Sequence, residues 1–344
     1  MTNPPLPTEV LQWLPVSAKP WRFLGSNGGF SGAQLYRATD SSEDLCLRRW
    51  PLEHPTPQRL HLINSWLSKA ASKVDCLPVP KLGNDGAAWL ETETGRWELS
   101  PWMPGTADYH QQPTSGKLAS ACQTLAQLHQ SWASLRQRQS MLPPSISSRQ
   151  SRLLQWQQQE CSQIKAVLRE QDTRRPLYTE ASQLFALTQD AATRFLTSFQ
   201  QQLTQAARKP RNLQPCLRDI WHDHLLFVGD ELTGVVDFGA MNWEIPEADM
   251  ARCLGSLIPD DTSTWHQARL AYEAECPKSN LDWDLTLLLD QSGCLVAATN
   301  WLKWLLLENR RFEDTERVSN RLSAIAKRLQ KWLSYDIPSI PLTI

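Results

Sequence analysis

The sequence predicts an α+β protein built as two lobes of about 100 and 240 residues. Length is the first reason, because 344 residues exceed what one hydrophobic core usually organises. The second reason is that apolar residues recur at helical spacing along the later part of the chain. A strand-turn-strand pattern at residues 225–236 is the third. We expect a first lobe at residues 1–102 and a second at residues 103–344.

Composition argues against several functional classes. The chain has 35 basic and 36 acidic residues, which leaves a net charge of −1 and no global attraction to nucleic acid or membrane surfaces. The most apolar run, Leu285 to Leu307, is interrupted by polar residues and predicts core helices, not a membrane span. The eight cysteines lack the short paired spacing of a zinc cluster or a disulfide framework. The amino terminus lacks the charged and then apolar pattern of a secretory signal. We expect a cytoplasmic protein.

Helical stripes predict which faces are packed. A long polar region, with a helical insert at about 135–214, contains one clear stripe, and the carboxyl-terminal segment contains another. The first stripe comprises Leu184, Leu187, Ala191, Phe195, Phe199 and Leu203, and the second comprises Val318, Leu322, Ile325, Leu329 and Trp332.

The stretch from Cys216 to Gly239 carries the chemistry. Asp219 follows Arg218, His224 lies five positions later, and Asp237 opens Asp-Phe-Gly. This is the order in which kinase-fold enzymes arrange a catalytic base and two metal ligands.

Two apolar or β-branched runs, 225–228 and 233–236, separate these sites and flank a turn. They predict a hairpin that brings Asp219 and Asp237 close together at its open end. Asp219 would accept a hydroxyl proton, and Asp237 would bind Mg²⁺, which prefers oxygen ligands. His224 is a candidate second metal ligand or phosphate contact, and its imidazole favours Mn²⁺ over Mg²⁺.

The stretch resembles the aminoglycoside phosphotransferase and choline kinase-like family, whose loop usually reads His-Gly-Asp, four residues and Asn, then a hairpin ending in Asp-Phe-Gly. Leu217, Arg218 and His224 depart from that pattern, and Asp249 matches a further Asp. The resemblance implies a protein-kinase-like bilobal fold with a small mixed β-sheet lobe and a larger, mainly helical lobe. It also implies ATP-dependent phosphorylation of a small-molecule hydroxyl, with ATP and Mg²⁺ as cofactors.

Three further segments resemble the family in the same order. The glycine-rich run 25–33 matches a nucleotide loop, in which Gly28, Gly29 and Ser31 would contact phosphates. The segment that contains Glu98 and Ser100 occupies the place of the link between lobes, where the nucleotide base is read. Leu125 to His129 matches the first large-lobe helix, in which we expect His129 to be structural.

Arg48 stands where the family has a phosphate-binding Lys, and it keeps the positive charge in a planar guanidinium group. The acid that usually pairs with this cation is absent, because residues 57–74 contain no Asp or Glu. His61 and Asn64 are the candidates to replace it.

Two other functions fit the sequence. One is a pseudokinase that binds nucleotide or a partner without turnover, as the altered residues at 48 and 224 suggest. The other is a metal hydrolase that uses His222, His224 and Asp237, since His-x-His binds transition metals.

Overall fold

The computed structural model describes residues 4–16, 20–25, 32–39, 43–170, 176–312 and 314–334. The strands are β1 (Arg22–Gly25), β2 (Gln34–Thr39), β3 (Asp44–Trp50), β4 (Leu90–Thr92), β5 (Gly95–Pro101), β6 (Gln137–Met141), β7 (Arg211–Cys216), β8 (Leu225–Val228), β9 (Glu231–Val235) and β10 (Asn242–Glu244). The helices are α1 (Thr8–Trp13), α2 (Pro57–Ala70), α3 (Ser115–Trp132), α4 (Pro144–Gln155), α5 (Cys161–Arg169), α6 (Tyr178–Ala207), α7 (Pro246–Leu257), α8 (Thr262–Glu275), α9 (Trp283–Leu302) and α10 (Thr315–Ser334).

The chain forms two compact units, and neither is continuous in sequence. The first unit comprises residues 1–135, 219–242 and 271–277. The second comprises residues 136–218, 243–270 and 278–344. The first unit therefore contains the β8–β9 hairpin as well as the amino-terminal sheet. The separate lobe at residues 1–102 stays a prediction.

A five-stranded antiparallel sheet in the order β1-β2-β3-β5-β4 forms the centre of the first unit. Side chains alternate between its two faces. One face buries an apolar cluster against α1, which comprises Val10, Trp13, Tyr36, Leu45, Leu47, Trp97 and Leu99. On β3 and β5 the intervening residues, Arg48 and Glu98 among them, therefore point to the opposite face.

Thr56 caps the amino terminus of helix α2, where its hydroxyl accepts a hydrogen bond from the amide of Arg59, and Pro57 occupies the first turn. Leu60, Ile63 and Leu67 are buried along one side, as their helical spacing predicts. The indole of Trp132, at the end of α3, donates to the carbonyl of Trp66, which ties α3 to α2.

The predicted hairpin is present. β8 and β9 pair antiparallel, with Leu225 opposite Val235 and Val228 opposite Glu231. Gly229 occupies the connecting turn with a positive φ of 60°. The amide of Leu232 also donates to Ser120 on α3, so the hairpin is fixed to that helix.

The second unit is mainly helical, with a three-stranded sheet in the order β10-β7-β6. Its core contains both predicted stripes, from α6 and α10, packed together with α9. The region 135–214, predicted to be helical, begins and ends with strands β6 and β7. That prediction was wrong at both ends, because two short strands there gain their hydrogen bonds by pairing with each other, which local propensity does not reveal.

The α+β prediction is confirmed. None of the described helices combines the length and apolar character needed to cross a membrane.

Replacing Gly95 with alanine tests the packing of the sheet. Gly95 opens β5 with φ 150°, and an added Cβ would lie 2.3 Å from the backbone oxygen of Trp50. Gly86→Ala is the matched control, because Gly86 also has a positive φ but an open surrounding. We expect Gly95→Ala to lower the free energy of unfolding by about 1–3 kcal/mol more than the control does. Urea titration measures both, and equal losses would contradict the packing argument.

Candidate active site

The loop that leads to Asp219 is held by a buried carboxylate in the second unit. Arg218 has φ 66°, a left-handed backbone conformation that residues other than Gly rarely adopt. Asp249, on α7, is fully buried and accepts hydrogen bonds from the amides of Leu217 at 2.7 Å and Arg218 at 2.6 Å. A left-handed residue costs about 1–2 kcal/mol, and two hydrogen bonds to a carboxylate offset that cost.

His224 connects Asp219 to the rest of the loop. Residues 222–224 form one short helical turn, and the ring of His224 is buried. Its Nδ1 lies 2.7 Å from the backbone oxygen of Asp219, and its Nε2 lies 2.9 Å from the indole nitrogen of Trp221. A carbonyl only accepts and an indole only donates, so the proton belongs on Nδ1 and the Nε2 lone pair is occupied.

Asp237 follows the hairpin and also has a left-handed backbone, with φ 65°. Its carboxylate is 39% exposed, and one oxygen lies 3.6 Å from His224 Nε2, beyond hydrogen-bonding distance. The amide of Val236 donates a hydrogen bond to the carbonyl of His224, which fixes the backbone immediately before Asp237.

Arg59 on α2 holds the backbone that follows Asp237. Its guanidinium donates to the carbonyls of Gly239 at 3.4 Å, Ala240 at 2.9 Å and Met241 at 2.5 Å. Three consecutive carbonyls are thus bound by one cation, and charged donors form the stronger protein hydrogen bonds. Helix α2 and the Asp237 turn are therefore fixed to each other.

Arg48 and Glu98 form a cross-strand pair on β3 and β5. Glu98 is buried, and its carboxylate accepts a hydrogen bond from the indole of Trp50. Burial raises the pKa of Glu98, while the Trp50 N–H and the Arg48 charge act in the opposite direction. The Arg48 guanidinium lies 4.8 Å from the centre of the Trp50 ring, in cation–π contact.

The first unit brings together some of the residues predicted from sequence. Asp219, His224 and Asp237 surround the open end of the hairpin, with His224 in contact with Asp219. The Glu98 side chain is hydrogen-bonded to Trp50 on the sheet face that also carries Arg48. Ser100 lies two residues along β5, in register with Cys46. Gly28, Gly29 and Ser31 lie outside the described residues.

Sequence reasoning missed two residues that organise the site, Trp50 and Arg59. Neither belongs to a motif, and their roles depend on contacts over 48 and 180 positions. His129 packs as expected, since it is buried with Nδ1 2.8 Å from the hydroxyl of Tyr272.

Little supports a His-x-His metal centre. Within the part of the chain that the structure describes, the ligand atoms of His222, His224 and Asp237 do not converge as a metal-binding set. His222 instead contacts the ring of His110, at 4.3 Å between ring centres, and lies 3.3 Å from a carboxylate oxygen of Asp223.

Comparison with known protein families identifies a match over most of the chain. The sequence profile described as "Phosphotransferase enzyme family" matches residues 24–284. A search of curated proteins finds no significant match.

Solved structures share the fold. A spectinomycin phosphotransferase in complex with ADP and spectinomycin aligns with TM-score 0.63 and 12% identity over 95% of this chain and 97% of its own. An aminoglycoside phosphotransferase from Alicyclobacillus acidocaldarius aligns with TM-score 0.58 and 14% identity over 97% and 96%. An amicoumacin kinase aligns with TM-score 0.59 and 11% identity over 94% and 91%. The protein-kinase-like fold expected from sequence is confirmed.

Replacing Asp249 with asparagine tests the support of the loop. An amide oxygen accepts one of the two backbone N–H groups, but the NH₂ group faces the other and leaves it unsatisfied. We expect Asp249→Asn to lower the free energy of unfolding by about 1–3 kcal/mol. Asp284→Asn, at an exposed position of α9, removes the same charge and should change it by less than about 0.5 kcal/mol. Urea titration compares the two, and equal midpoints would show that Asp249 does not support the loop.

Proposed function

The chain belongs to the phosphotransferase enzyme family, and we propose that it transfers the γ-phosphoryl group of ATP to a hydroxyl group of a small molecule. The family match and the shared fold support a small-molecule phosphotransferase. The proposal adds to this that ATP is the phosphoryl donor and that a hydroxyl group is the acceptor.

One observation carries the proposal. The backbone of Asp219 and the carboxylate of Asp237 both lie next to the ring of His224, within 2.7 Å and 3.6 Å of its two nitrogens. A base and a metal-binding carboxylate that are fixed around one side chain meet the main demand of phosphoryl transfer. That demand is the positioning of acceptor and phosphates in line.

Asp219 acts as the general base. Its carboxylate accepts the proton of the acceptor hydroxyl as the hydroxyl oxygen bonds to phosphorus and the bond from phosphorus to the ADP oxygen breaks. The backbone carbonyl of Asp219 is hydrogen-bonded to His224, which limits rotation of the loop and keeps the carboxylate in place.

The side chain of Asp237 fits a magnesium ligand. Its carboxylate offers oxygen donors and is 39% exposed, so it is accessible to an ion that retains water and phosphate ligands. Mg²⁺ held there with ATP would neutralise charge that develops on the transferring phosphoryl group. The guanidinium of Arg59 keeps the following backbone in position, so the turn that carries Asp237 is held before the cofactor arrives.

We assign His224 a positioning role. Coordination by Nε2 would require the indole of Trp221 to give up its hydrogen bond, and coordination by Nδ1 would release Asp219. The geometry thus supports His224 as the residue that orients Asp219. Its predicted role as a second metal ligand is untested.

Arg48 is the proposed phosphate contact of the sheet. A guanidinium binds phosphate oxygens with paired donors. Gly28, Gly29 and Ser31 are proposed to cover the same phosphates from the glycine-rich loop, and the segment that contains Glu98 and Ser100 to lie near the base.

The base assignment predicts the effect of Asp219→Asn. Turnover of ATP with an accepted alcohol should fall by about 10²–10⁴, since the amide cannot take the proton. Asp223→Asn removes a neighbouring carboxylate of the same loop and should leave turnover within about threefold of the parent. Radiolabelled ATP with a panel of amino alcohols, sugars and aminoglycosides provides the assay.

Two results would redirect the assignment. Parental turnover in Asp219→Asn would reject Asp219 as the base. ATP binding without consumption across the panel would favour the noncatalytic pseudokinase.

The positioning role of His224 predicts an unchanged metal preference. If Nε2 does not coordinate, the ratio of activity with Mg²⁺ to activity with Mn²⁺ should be the same in the parent and in His224→Asn. An asparagine amide can still donate to the carbonyl of Asp219. Steady-state rates with each ion measure the ratio. A shift toward Mg²⁺ in the variant would instead identify His224 as a metal ligand, because imidazole favours the softer ion.

A further inference from the structure

Helix α2 lacks the acid expected to pair with Arg48. No Asp or Glu occurs from Pro57 to Val74. Asn64, on the same helix, is buried, with 7% of its surface exposed. Neither amide atom of Asn64 has a hydrogen-bond partner among the described residues. A neutral amide cannot supply the charge that would hold a guanidinium.

The neighbouring strand supplies that charge. Glu98 lies directly opposite Arg48 in the β3–β5 register, and its side chain points to the same face of the sheet. Glu98 is 8% exposed, so its attraction for Arg48 is weakly screened by solvent.

We propose that Glu98 on β5, in place of an acid on α2, positions Arg48 for the phosphates of the nucleotide. The proposal rests on the proposed function, since it assumes that Arg48 binds phosphate. It makes Glu98 a positioning residue that acts through Arg48 without touching the nucleotide. It also changes the interpretation of Glu98 from a residue near the base to one that supports the phosphate contact.

Trp50 extends the arrangement toward Asp237. Its indole N–H donates a hydrogen bond to Glu98, and its ring is in cation–π contact with Arg48. A Cβ added at Gly239 would lie only 3.1 Å from the Trp50 ring, so the ring packs on the turn that follows Asp237. One side chain thus links the phosphate-binding cation to the backbone of the proposed metal ligand.

Glu98→Gln is the test. The variant should fold, because the glutamine oxygen still accepts from Trp50 and a buried charge is removed. The neutral side chain no longer attracts the charge of Arg48, which releases the guanidinium. We expect binding of Mg²⁺–ATP to weaken about tenfold, equivalent to about 1.4 kcal/mol, with the midpoint of thermal unfolding unchanged or higher. Isothermal titration calorimetry measures the affinity.

Glu91→Gln is the matched control. Glu91 lies on the adjacent strand β4 and pairs with Arg96, not with Arg48, so its removal should leave the affinity unchanged. If Glu98→Gln does not yield folded protein, Glu98→Asp retracts the carboxylate by one methylene and should weaken binding relative to Glu91→Asp.

A double-mutant cycle with Arg48→Gln shows whether Glu98 acts through Arg48. In the Arg48→Gln background, the change Glu98→Gln should have no further effect on the affinity. Additive losses, or parental affinity in Glu98→Gln alone, would overturn the proposal. Failure of the unmodified protein to bind Mg²⁺–ATP is a separate result, which would reject the proposed function itself.

Discussion

Left-handed backbone conformations at Arg218 and at Asp237 are the constraint on which the two candidate residues Asp219 and Asp237 depend. One precedes the catalytic candidate Asp219, and the other belongs to the proposed metal ligand. Residues other than Gly adopt this conformation uncommonly, and nearby contacts can stabilise it. Asp249 does so within the second unit by binding two successive amides. Within the first unit, Arg59 binds three carbonyls after Asp237. Both devices use a buried or partly buried charge against backbone dipoles, which is stronger than a neutral hydrogen bond.

The departures from the family pattern come with local contacts that accommodate them. Arg218 stands where a Gly is usual, and Asp249 stabilises the backbone that a Gly would adopt freely. His224 stands where an Asn is usual, and both its nitrogens have protein partners. The missing helix acid coincides with an acid on the adjacent strand at Glu98. Each of these three departures therefore has a physical counterpart nearby.

The candidate residues of the five-stranded sheet, Arg48 and Glu98, lie on the same face of it. On the other face an apolar cluster with α1 stabilises β2, β3 and β5. That packing fixes the register that places Glu98 opposite Arg48, because a slip by one residue would exchange the two faces. The same register sets the position of Trp50, which joins Arg48, Glu98 and Gly239. The positions of the charged residues on one face therefore depend on the apolar packing of the other face.

The sequence by itself determined the α+β class, the β8–β9 hairpin and the candidates Asp219 and Asp237, because spacing and side-chain chemistry are local properties. It also determined the packed stripes of α6 and α10. It misjudged the ends of region 135–214, where β6 pairs with β7 across some 70 residues and β7 also pairs with β10. Only the tertiary structure decided the partners of His224, the contact of Arg59 with the Asp237 turn and the direction of Glu98. The contacts of Arg59 and Glu98 join residues 180 and 48 positions apart, and those of His224 depend on the conformation of the loop, so no local pattern encodes them.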